Sequence, residues 1–380
     1  RDNLNAYLSG KKSPKRVPKY VTSDNPMEID GLTQWLDMDV NGKIERRPGF
    51  LIGYGHFGGA RNAMPFFPKI GSNTIQQELG PAQYFGWHMR DSASGNGDYG
   101  VPDYGKKALD SYCKMLEDAE KNNIAVDVLI ATHYFITELY DKYPGLGGKA
   151  GNFIGFNIMH PKGRQLIEDF VRVFCDRIKD YRSINAICLA NEIQFRSSVF
   201  PDFYNNDWTG CDGTQRDGWW SYLKKLYDND ISKLNKVYGT EYEKFEDIEM
   251  PVNTSDNPEK IADYKNFNDP ILKEWHEWLK SLVREYMPDV PIQSKIMPML
   301  NWGSYYALMG ENVEAFADFS ELNGCDASAY YKGTPLERKL YWYDYMVSAK
   351  AMPIVNSEDH IIPDGDEDFS FKHAIFNSAD

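Results

Sequence analysis

Seven short apolar runs alternate with longer amphipathic stretches between residues 50 and 357. Several of these runs are nearly continuous in hydrophobic residues, which is typical of parallel strands buried on both faces. The seven predicted strands are Phe50–Tyr54, Asn73–Gln77, Val126–Thr132, Ala186–Ala190, Ile292–Met297, Cys325–Ala329 and Pro353–Ser357. Their alternation with helical stretches predicts an α/β fold built around a parallel sheet.

Helical periodicity characterises the stretches between these strands. Apolar residues recur three and four positions apart, which places them on one stripe that we expect to face the core. The long connection after the fourth strand contains two further helical segments. The six predicted helices are Lys107–Asn122, Gly163–Tyr181, Gly218–Tyr227, Asp230–Tyr238, Pro270–Tyr286 and Leu336–Lys350.

Seven strands in this alternation predict a TIM (β/α)8 barrel, although such a barrel needs eight strands. Only 23 residues (380 − 357) follow Ser357, and they contain no eighth apolar run. We therefore expect the barrel, over residues 46–380, to lack its eighth strand because the chain is truncated at the C-terminus. Residues 1–45 are polar and lack sustained periodicity, so we expect an extended N-terminal segment there.

Composition narrows the classes of function. The chain has 56 acidic and 42 basic residues, for a formal net charge of −14. Nucleic-acid affinity depends mainly on neutralising phosphates, so no nucleic-acid partner is expected. No apolar run approaches the roughly 20 residues that span a bilayer, so no membrane partner is expected either. The five cysteines include no C-x-x-C pair, which gives no support for a zinc ribbon or a thioredoxin-like motif.

Two of the predicted strands end in glutamate. The run Ile187–Glu192 ends in Asn-Glu, and the run Pro353–Glu358 ends in Ser-Glu. In a TIM barrel the C-terminal ends of the strands form the active-site face, and strands four and seven lie across the barrel from each other. Two such carboxyl groups suit glycoside hydrolysis, in which one attacks the anomeric carbon and the other protonates the leaving oxygen. A separation of roughly 5–5.5 Å would imply retention of configuration.

The segments around these glutamates resemble the clan A glycoside hydrolases, and most closely the family 42 β-galactosidase-like group. The resemblance runs in order over residues 50–380 and is carried by Gly71–Pro81, Arg177–Glu192, Trp220, Leu234-Asn235, Tyr238–Thr240 and Asp326–Tyr330. It implies a retaining β-glycosidase that acts on an oligo- or polysaccharide and needs no cofactor. A β-galactoside is the first expected substrate, while a β-glucoside, a β-mannoside or an algal galactan stays open.

The resemblance also implies residue roles. Glu192 is the expected acid/base and Glu358 the expected nucleophile. Asn191 is expected to hydrogen-bond the sugar 2-hydroxyl, and Tyr330, or alternatively Tyr331, to donate to Glu358. Further expected substrate-binding residues are Glu78, His133, Trp302 and His360. The alternatives are packing at the rim for His133, buried packing for Trp302 and exposure to solvent for Glu78.

Two departures from the family pattern bear on function. The arginine usual after the second strand is absent, since Thr74–Glu78 offers glutamine or glutamate instead, and this leaves the sugar open. The four-cysteine zinc site of many members has no counterpart, so no metal is expected.

The alternative function is a catalytically silent carbohydrate-binding protein on a TIM-barrel scaffold. The missing arginine and eighth strand favour that alternative, whereas the presence of both glutamates argues against it. Polysaccharide-degrading enzymes usually work outside the cytoplasm, which favours a secreted or periplasmic location; the oligomeric state is not indicated.

Overall fold

The structure is a computed structural model, and it describes most of the 380-residue chain. The described residues are 5–6, 8–12, 17–55, 59–85, 103–136, 139–146, 156–194, 213–251, 256–297, 309–327 and 336–359. Within these ranges the chain forms eleven β-strands and nine α-helices. None of the helices in this part of the chain is both long enough and apolar enough to cross a membrane.

The N-terminal region forms an antiparallel sheet, which corrects the expectation of an extended segment over residues 1–45. Its strands are β1 (Lys19–Tyr20), β2 (Glu28–Asp30), β3 (Thr33–Val40) and β4 (Lys43–Pro48). Strand β3 pairs with each of the other three. Asn41 and Gly42 both have positive φ and make the tight β3–β4 turn, for which Asn-Gly is the favoured pair. The Asn-Gly pair is visible in the sequence, but the turn was not predicted from it. The division of the chain at residue 45 stays a prediction.

Parallel strands are present at or beside all seven predicted positions, although the sixth ends at Cys325, the residue at which its predicted counterpart begins. They are β5 (Gly53–Tyr54), β6 (Thr74–Leu79), β7 (Ala125–Ile130), β8 (Ile184–Asn191), β9 (Ile292–Lys295), β10 (Asn323–Cys325) and β11 (Ile354–Asn356). Strands β5 to β9 form one parallel sheet in chain order, and β10 and β11 form a parallel pair. A parallel bridge between Ile296 and Cys325 joins this pair to β9. The predicted α/β class with a parallel sheet is confirmed.

A buried polar cluster shows how strongly this sheet curves. The Asp127 carboxylate on β7 accepts hydrogen bonds from Gln76 on β6 at 2.7 Å and from Gln293 on β9 at 2.6 Å. Strand β8 lies between β7 and β9, so the last contact requires the sheet to fold around this inner face. Gly324 on β10 belongs to the same packing, because a Cβ atom there would lie 1.9 Å from the Gln293 amide oxygen. The inner face is therefore filled with side chains.

The two ends of the strand series also approach each other. A Cβ atom on Gly55, directly after β5, would lie 3.3 Å from the carbonyl oxygen of Ser357, directly after β11. The C-terminal ends of the first and the last parallel strand therefore meet at one rim.

In the part of the chain that the structure describes, nine α-helices connect and cover the strands. They are α1 (Gly59–Ala63), α2 (Pro81–Phe85), α3 (Asp103–Asn122), α4 (Pro161–Ile178), α5 (Gly213–Leu226), α6 (Ile231–Tyr238), α7 (Pro258–Arg284), α8 (Val313–Phe319) and α9 (Leu336–Ala349). Leu116 of α3, Phe174 of α4 and Trp275 of α7 are buried in one core with Val126 and Val128 of β7. The predicted apolar stripes therefore face the outer side of the sheet, as helix-on-sheet packing requires.

All six predicted helices are present, but α7 begins twelve residues before its predicted start (270 − 258). Pro270 favoured a helix start, whereas it lies inside the helix and Asn257 caps the true N-terminus through the Lys260 N–H. An internal proline costs about 3 kcal/mol or more. The early turns are stabilised by packing, since Tyr264 is fully buried edge-on against Trp219 of α5.

Four cysteines lie in the described ranges, and all four are buried. Cys113, Cys175 and Cys188 are buried free thiols, and so is Cys325. Burial raises the pKa of the Cys175 thiol to about 12, which keeps it protonated.

Candidate active site

Four ionisable side chains meet at the C-terminal ends of four consecutive parallel strands. Glu192 follows β8, Lys295 ends β9, Asp326 follows β10 and Glu358 lies two residues beyond β11. One carboxylate oxygen from each of the three acids lies within 4.8 Å of the others. The Lys295 ammonium donates to Glu358 Oε2. The two glutamates predicted from separate strands are therefore brought together.

Glu192 has an unusual backbone conformation. Five non-glycine residues in the described ranges have positive φ, and four of them are Asn or Asp, which tolerate this region. The fifth is Glu192, with φ of 49°. A left-handed conformation costs about 1–2 kcal/mol for such a residue, and strain of this kind concentrates at functional sites. The pairing of β8 with β9 shifts register between Cys188 and Asn191, and the Glu192 N–H then donates to the Lys295 carbonyl at 2.9 Å.

The ends of β10 and β11 are joined by the Asn356 side chain. Its amide nitrogen donates to the Ala327 carbonyl at 2.7 Å, and its amide oxygen accepts from the Ala327 N–H at 3.2 Å. The amide nitrogen also lies 2.7 Å from the Tyr343 hydroxyl. This two-way contact continues the strand pairing beyond Cys325 and sets the spacing between Asp326 and Glu358.

Burial and charge set the protonation of the cluster. Burial raises the pKa of Asp326 well above its usual range, and the hydrogen bond to Glu192 and the charges of Glu192 and Glu358 raise it further. Burial lowers the pKa of Lys295, but the acidic groups around it, first of all Glu358 and then Glu192, outweigh that effect and raise the pKa above its ordinary value. At neutral pH the lysine is thus an ammonium, and Asp326 carries a proton directed at Glu192.

Replacing Asp326 by asparagine is expected to stabilise the protein near pH 7 but not near pH 4. The folded state keeps Asp326 neutral, whereas the unfolded chain ionises it above about pH 3.9, so wild-type stability falls as pH rises above that value. Asparagine does not ionise and keeps a donor for Glu192, so Asp326→Asn escapes this loss. A gain of 1 kcal/mol raises Tm by about 2 °C in a chain of this size.

Thermal unfolding of wild type and variant at pH 4 and pH 7 measures the effect. The exposed Asp344 provides the control, because Asp344→Asn should leave the wild-type pH dependence unchanged. A Tm difference for Asp326→Asn that is equal at both pH values would contradict the raised pKa.

Three of the predicted substrate-binding residues are described, and all three lie at this rim. Glu78 is on β6; burial raises its pKa to about 7, with the charge of Lys295 lowering it and that of Glu358 raising it. Asn191 is 5% exposed, and within the described residues its amide oxygen has no hydrogen-bond partner. His133 packs on Tyr134 with ring centroids 4.1 Å apart, and the Tyr134 hydroxyl hydrogen-bonds Glu78.

The other predicted contacts fall outside the described residues. These are Tyr330, its alternative Tyr331, Trp302 and His360. Their contacts with Glu358 or with a sugar stay predictions.

Lys295, Tyr134 and Glu311 were not predicted from the sequence, and Asp326 entered only as part of the family resemblance. Lys295 had a usable signal, because a lysine two residues after Gln293 on an apolar strand faces the same side of the sheet as Gln293. Glu311 is 1% exposed, and burial followed by the charge of Glu192 raises its pKa well above the ordinary value. No local pattern distinguishes Glu311 from a surface glutamate.

The expectation that no metal is bound stays a prediction. Within the described ranges, Glu192, Asp326 and Glu358 form a group whose oxygens are close enough to share an ion. The Lys295 ammonium already provides a positive charge to this group. A buried ammonium that pairs with carboxylates compensates their negative charge without a metal ion.

Comparison with known protein families identifies glycoside hydrolases as relatives of this chain. Residues 82–338 match the family model of glycoside hydrolase family 42, described as beta-galactosidase. Beta-galactosidase LacZ of Heyndrickxia coagulans is 27% identical over 204 residues, which cover 48% of this chain and 28% of LacZ. Beta-galactosidase Pbg of Clostridium perfringens is 25% identical over 181 residues, 46% of this chain and 24% of Pbg.

Solved structures share the fold. A family 42 exo-carrageenase from Bacteroides ovatus superposes with a TM-score of 0.65 at 21% identity, covering 96% of this chain and 48% of the exo-carrageenase. A catalytic mutant of Gan42B, a family 42 beta-galactosidase from G. stearothermophilus, gives 0.56 at 15% identity, covering 81% and 45%. The chain thus spans about half the length of these structures, and its match covers about a quarter of the two curated relatives.

Proposed function

Because this chain belongs to glycoside hydrolase family 42, whose model matches 257 of its residues (338 − 82 + 1), we propose that it is a retaining β-glycosidase. The proposed substrate is a β-galactoside within an oligo- or polysaccharide, since the family and both curated relatives are described as beta-galactosidases. No cofactor is part of this proposal.

The separation of Glu192 and Glu358 is the observation that carries the proposal. Their nearest carboxylate oxygens lie within 4.8 Å of each other. Retaining enzymes have carboxyl groups about 5–5.5 Å apart, whereas inverting enzymes need about 6.5–9.5 Å to admit a water molecule between sugar and base. The short separation supports direct attack by a carboxylate, with a covalent intermediate.

In the proposed mechanism Glu358 attacks the anomeric carbon while Glu192 protonates the departing glycosidic oxygen. Glu192 then removes a proton from water, and that water releases the sugar from Glu358 with the original configuration. The strained backbone of Glu192 supports a functional role for that residue.

Substrate binding is proposed for the residues around the two glutamates. Asn191 offers a buried amide beside Glu192, and contacts with the sugar 2-hydroxyl strengthen in the transition state. The remaining proposed contacts come from Glu78, His133, Trp302, Tyr330 and His360.

We propose further that the seven parallel strands belong to a TIM (β/α)8 barrel whose eighth strand is not among the described residues. The hydrogen bond from Gln293 to Asp127 across β8 supports the curvature of a barrel. The approach of Gly55 to Ser357 supports closure near the rim that holds the site. A barrel places catalytic residues at this C-terminal face.

The stereochemistry of hydrolysis tests the function. The chain is incubated with aryl β-galactoside, β-glucoside and β-mannoside, and the first-formed sugar is followed by ¹H NMR before mutarotation. We expect β-galactose from the galactoside. First-formed α-galactose would contradict retention. Binding of galactosides without turnover would support the alternative, a silent carbohydrate-binding protein.

A further inference from the structure

Lys295 is fully buried among carboxylates. Its exposed fraction is 0%, and its ammonium donates to the Glu358 carboxylate. Its main chain is tied to the neighbouring strand, where Asn191 is its pairing partner and the Glu192 N–H donates to its carbonyl at 2.9 Å. One residue therefore contacts the proposed nucleophile through its side chain and the proposed acid/base through its backbone.

A buried ion pair is weak evidence for a purely structural role. Desolvating both charges costs several kcal/mol per ion, and apolar replacements of similar volume are often neutral or stabilising. A buried lysine without partners would lose its proton, whereas the surrounding carboxylates raise the pKa of Lys295. Stability therefore does not explain why the Lys295 ammonium is buried against Glu358.

Several charged or titratable groups surround the pair. Glu358 and Lys295 interact with the side chains of Glu78 on β6, Tyr134 after β7 and Asp326 after β10, and Lys295 also interacts with Glu192 after β8 and Asp127 on β7. All of these groups except the tyrosine are acids, and those that are ionised add negative potential at Glu358. Within the described residues, the Lys295 ammonium contacts Glu358 directly and offsets this potential.

We propose that Lys295 is a positioning residue for Glu358, which holds the nucleophile ionised and fixes the orientation of its carboxylate. This proposal rests on the proposed function and deepens it. When Glu358 becomes esterified its charge disappears, and the ammonium then stabilises the Glu192 carboxylate that must act as base. The same cation therefore serves both halves of the reaction.

Loss of the ammonium is expected to move the acid limb of the pH profile of kcat/KM. An opposite charge within about 4–6 Å lowers a carboxyl pKa by about 1–3 units. In Lys295→Met the pKa of Glu358 rises accordingly, so activity is lost at a higher pH than in wild type. We expect the acid limb to move up by at least about one pH unit, and the shift to be absent in Lys295→Arg, which keeps the charge.

Lys339 supplies a matched control. It is also buried, at 5% exposure, and donates at 2.8 Å to Asp359, the residue after Glu358. Lys339→Met likewise removes a buried ammonium from a carboxylate at the end of β11. We expect it to leave the acid limb at the wild-type pH. An equal shift in both variants would overturn the proposal, because it would show a general effect of losing positive charge.

A measurement without turnover separates this proposal from the proposed function. The Glu358 carboxyl, labelled with ¹³C and assigned through Glu358→Gln, is titrated by NMR in wild type and in Lys295→Met. If Lys295→Met fails to give a cooperative thermal transition, Lys295→Gln takes its place as the neutral variant. A higher titration midpoint in the neutral variant supports the proposal even if wild type hydrolyses no galactoside. An unchanged midpoint overturns it, whatever the activity.

Discussion

Glu358→Ala is expected to lower kcat on aryl β-galactosides by on the order of 10⁴-fold or more, because the variant cannot form the covalent intermediate. The removed carboxylate leaves space beside the anomeric carbon. Azide can attack from that space while Glu192 still protonates the leaving group. We expect azide to restore turnover and to give the α-galactosyl azide, with inverted configuration.

Asp359→Ala is the matched control for Glu358→Ala. It removes the adjacent carboxylate, which pairs with Lys339. We expect this variant to retain activity and to show no response to azide. The assignment of Glu358 as nucleophile is wrong if Glu358→Ala keeps wild-type turnover, or if Asp359→Ala shows the loss and the azide rescue instead.

Glu192→Ala is expected to show a loss that depends on the leaving group. General acid catalysis contributes about 10²–10⁴-fold, and a good leaving group needs little protonation. We therefore expect kcat/KM to fall by that factor for alkyl galactosides and by less than about tenfold for a dinitrophenyl galactoside. Release of the sugar from Glu358 should be slow, because no base activates water.

Azide distinguishes the two glutamates by the product that forms. In Glu192→Ala it attacks the glycosyl-enzyme in place of activated water, so the expected product is the β-galactosyl azide. This configuration is opposite to the one expected for Glu358→Ala. Reaction mixtures analysed by ¹H NMR give the anomeric configuration directly, and exchanged products would reverse the two roles.

Strands and most helices of this protein could be predicted because their signals are local. Each parallel strand is an apolar run, and six helices repeat their apolar residues at helical spacing. The two rim glutamates follow strand ends, so their position at one face follows from the parallel direction of the strands. The N-terminal sheet was missed because its strands are mostly polar, with Leu36 and Met38 as the main buried hydrophobic residues of β3.

Where a signal depends on distant contacts, prediction failed. The start of α7 depends on Tyr264 packing against Trp219, forty-five residues away (264 − 219), while Pro270 gave a misleading local boundary. The left-handed backbone of Glu192 depends on the irregular pairing of β8 with β9.

The sequence by itself determined the parallel α/β fold, the order of its strands and the presence of Glu192 and Glu358 at strand ends. Tertiary structure alone decided that Lys295 and Asp326 join them. Lys295 meets Glu358 across 63 residues of chain, and a lysine in a strand is ordinarily expected to face water. Curvature of the sheet buries it instead, and burial turns four separate ionisable groups into one coupled cluster because electrostatic interactions strengthen where water is excluded.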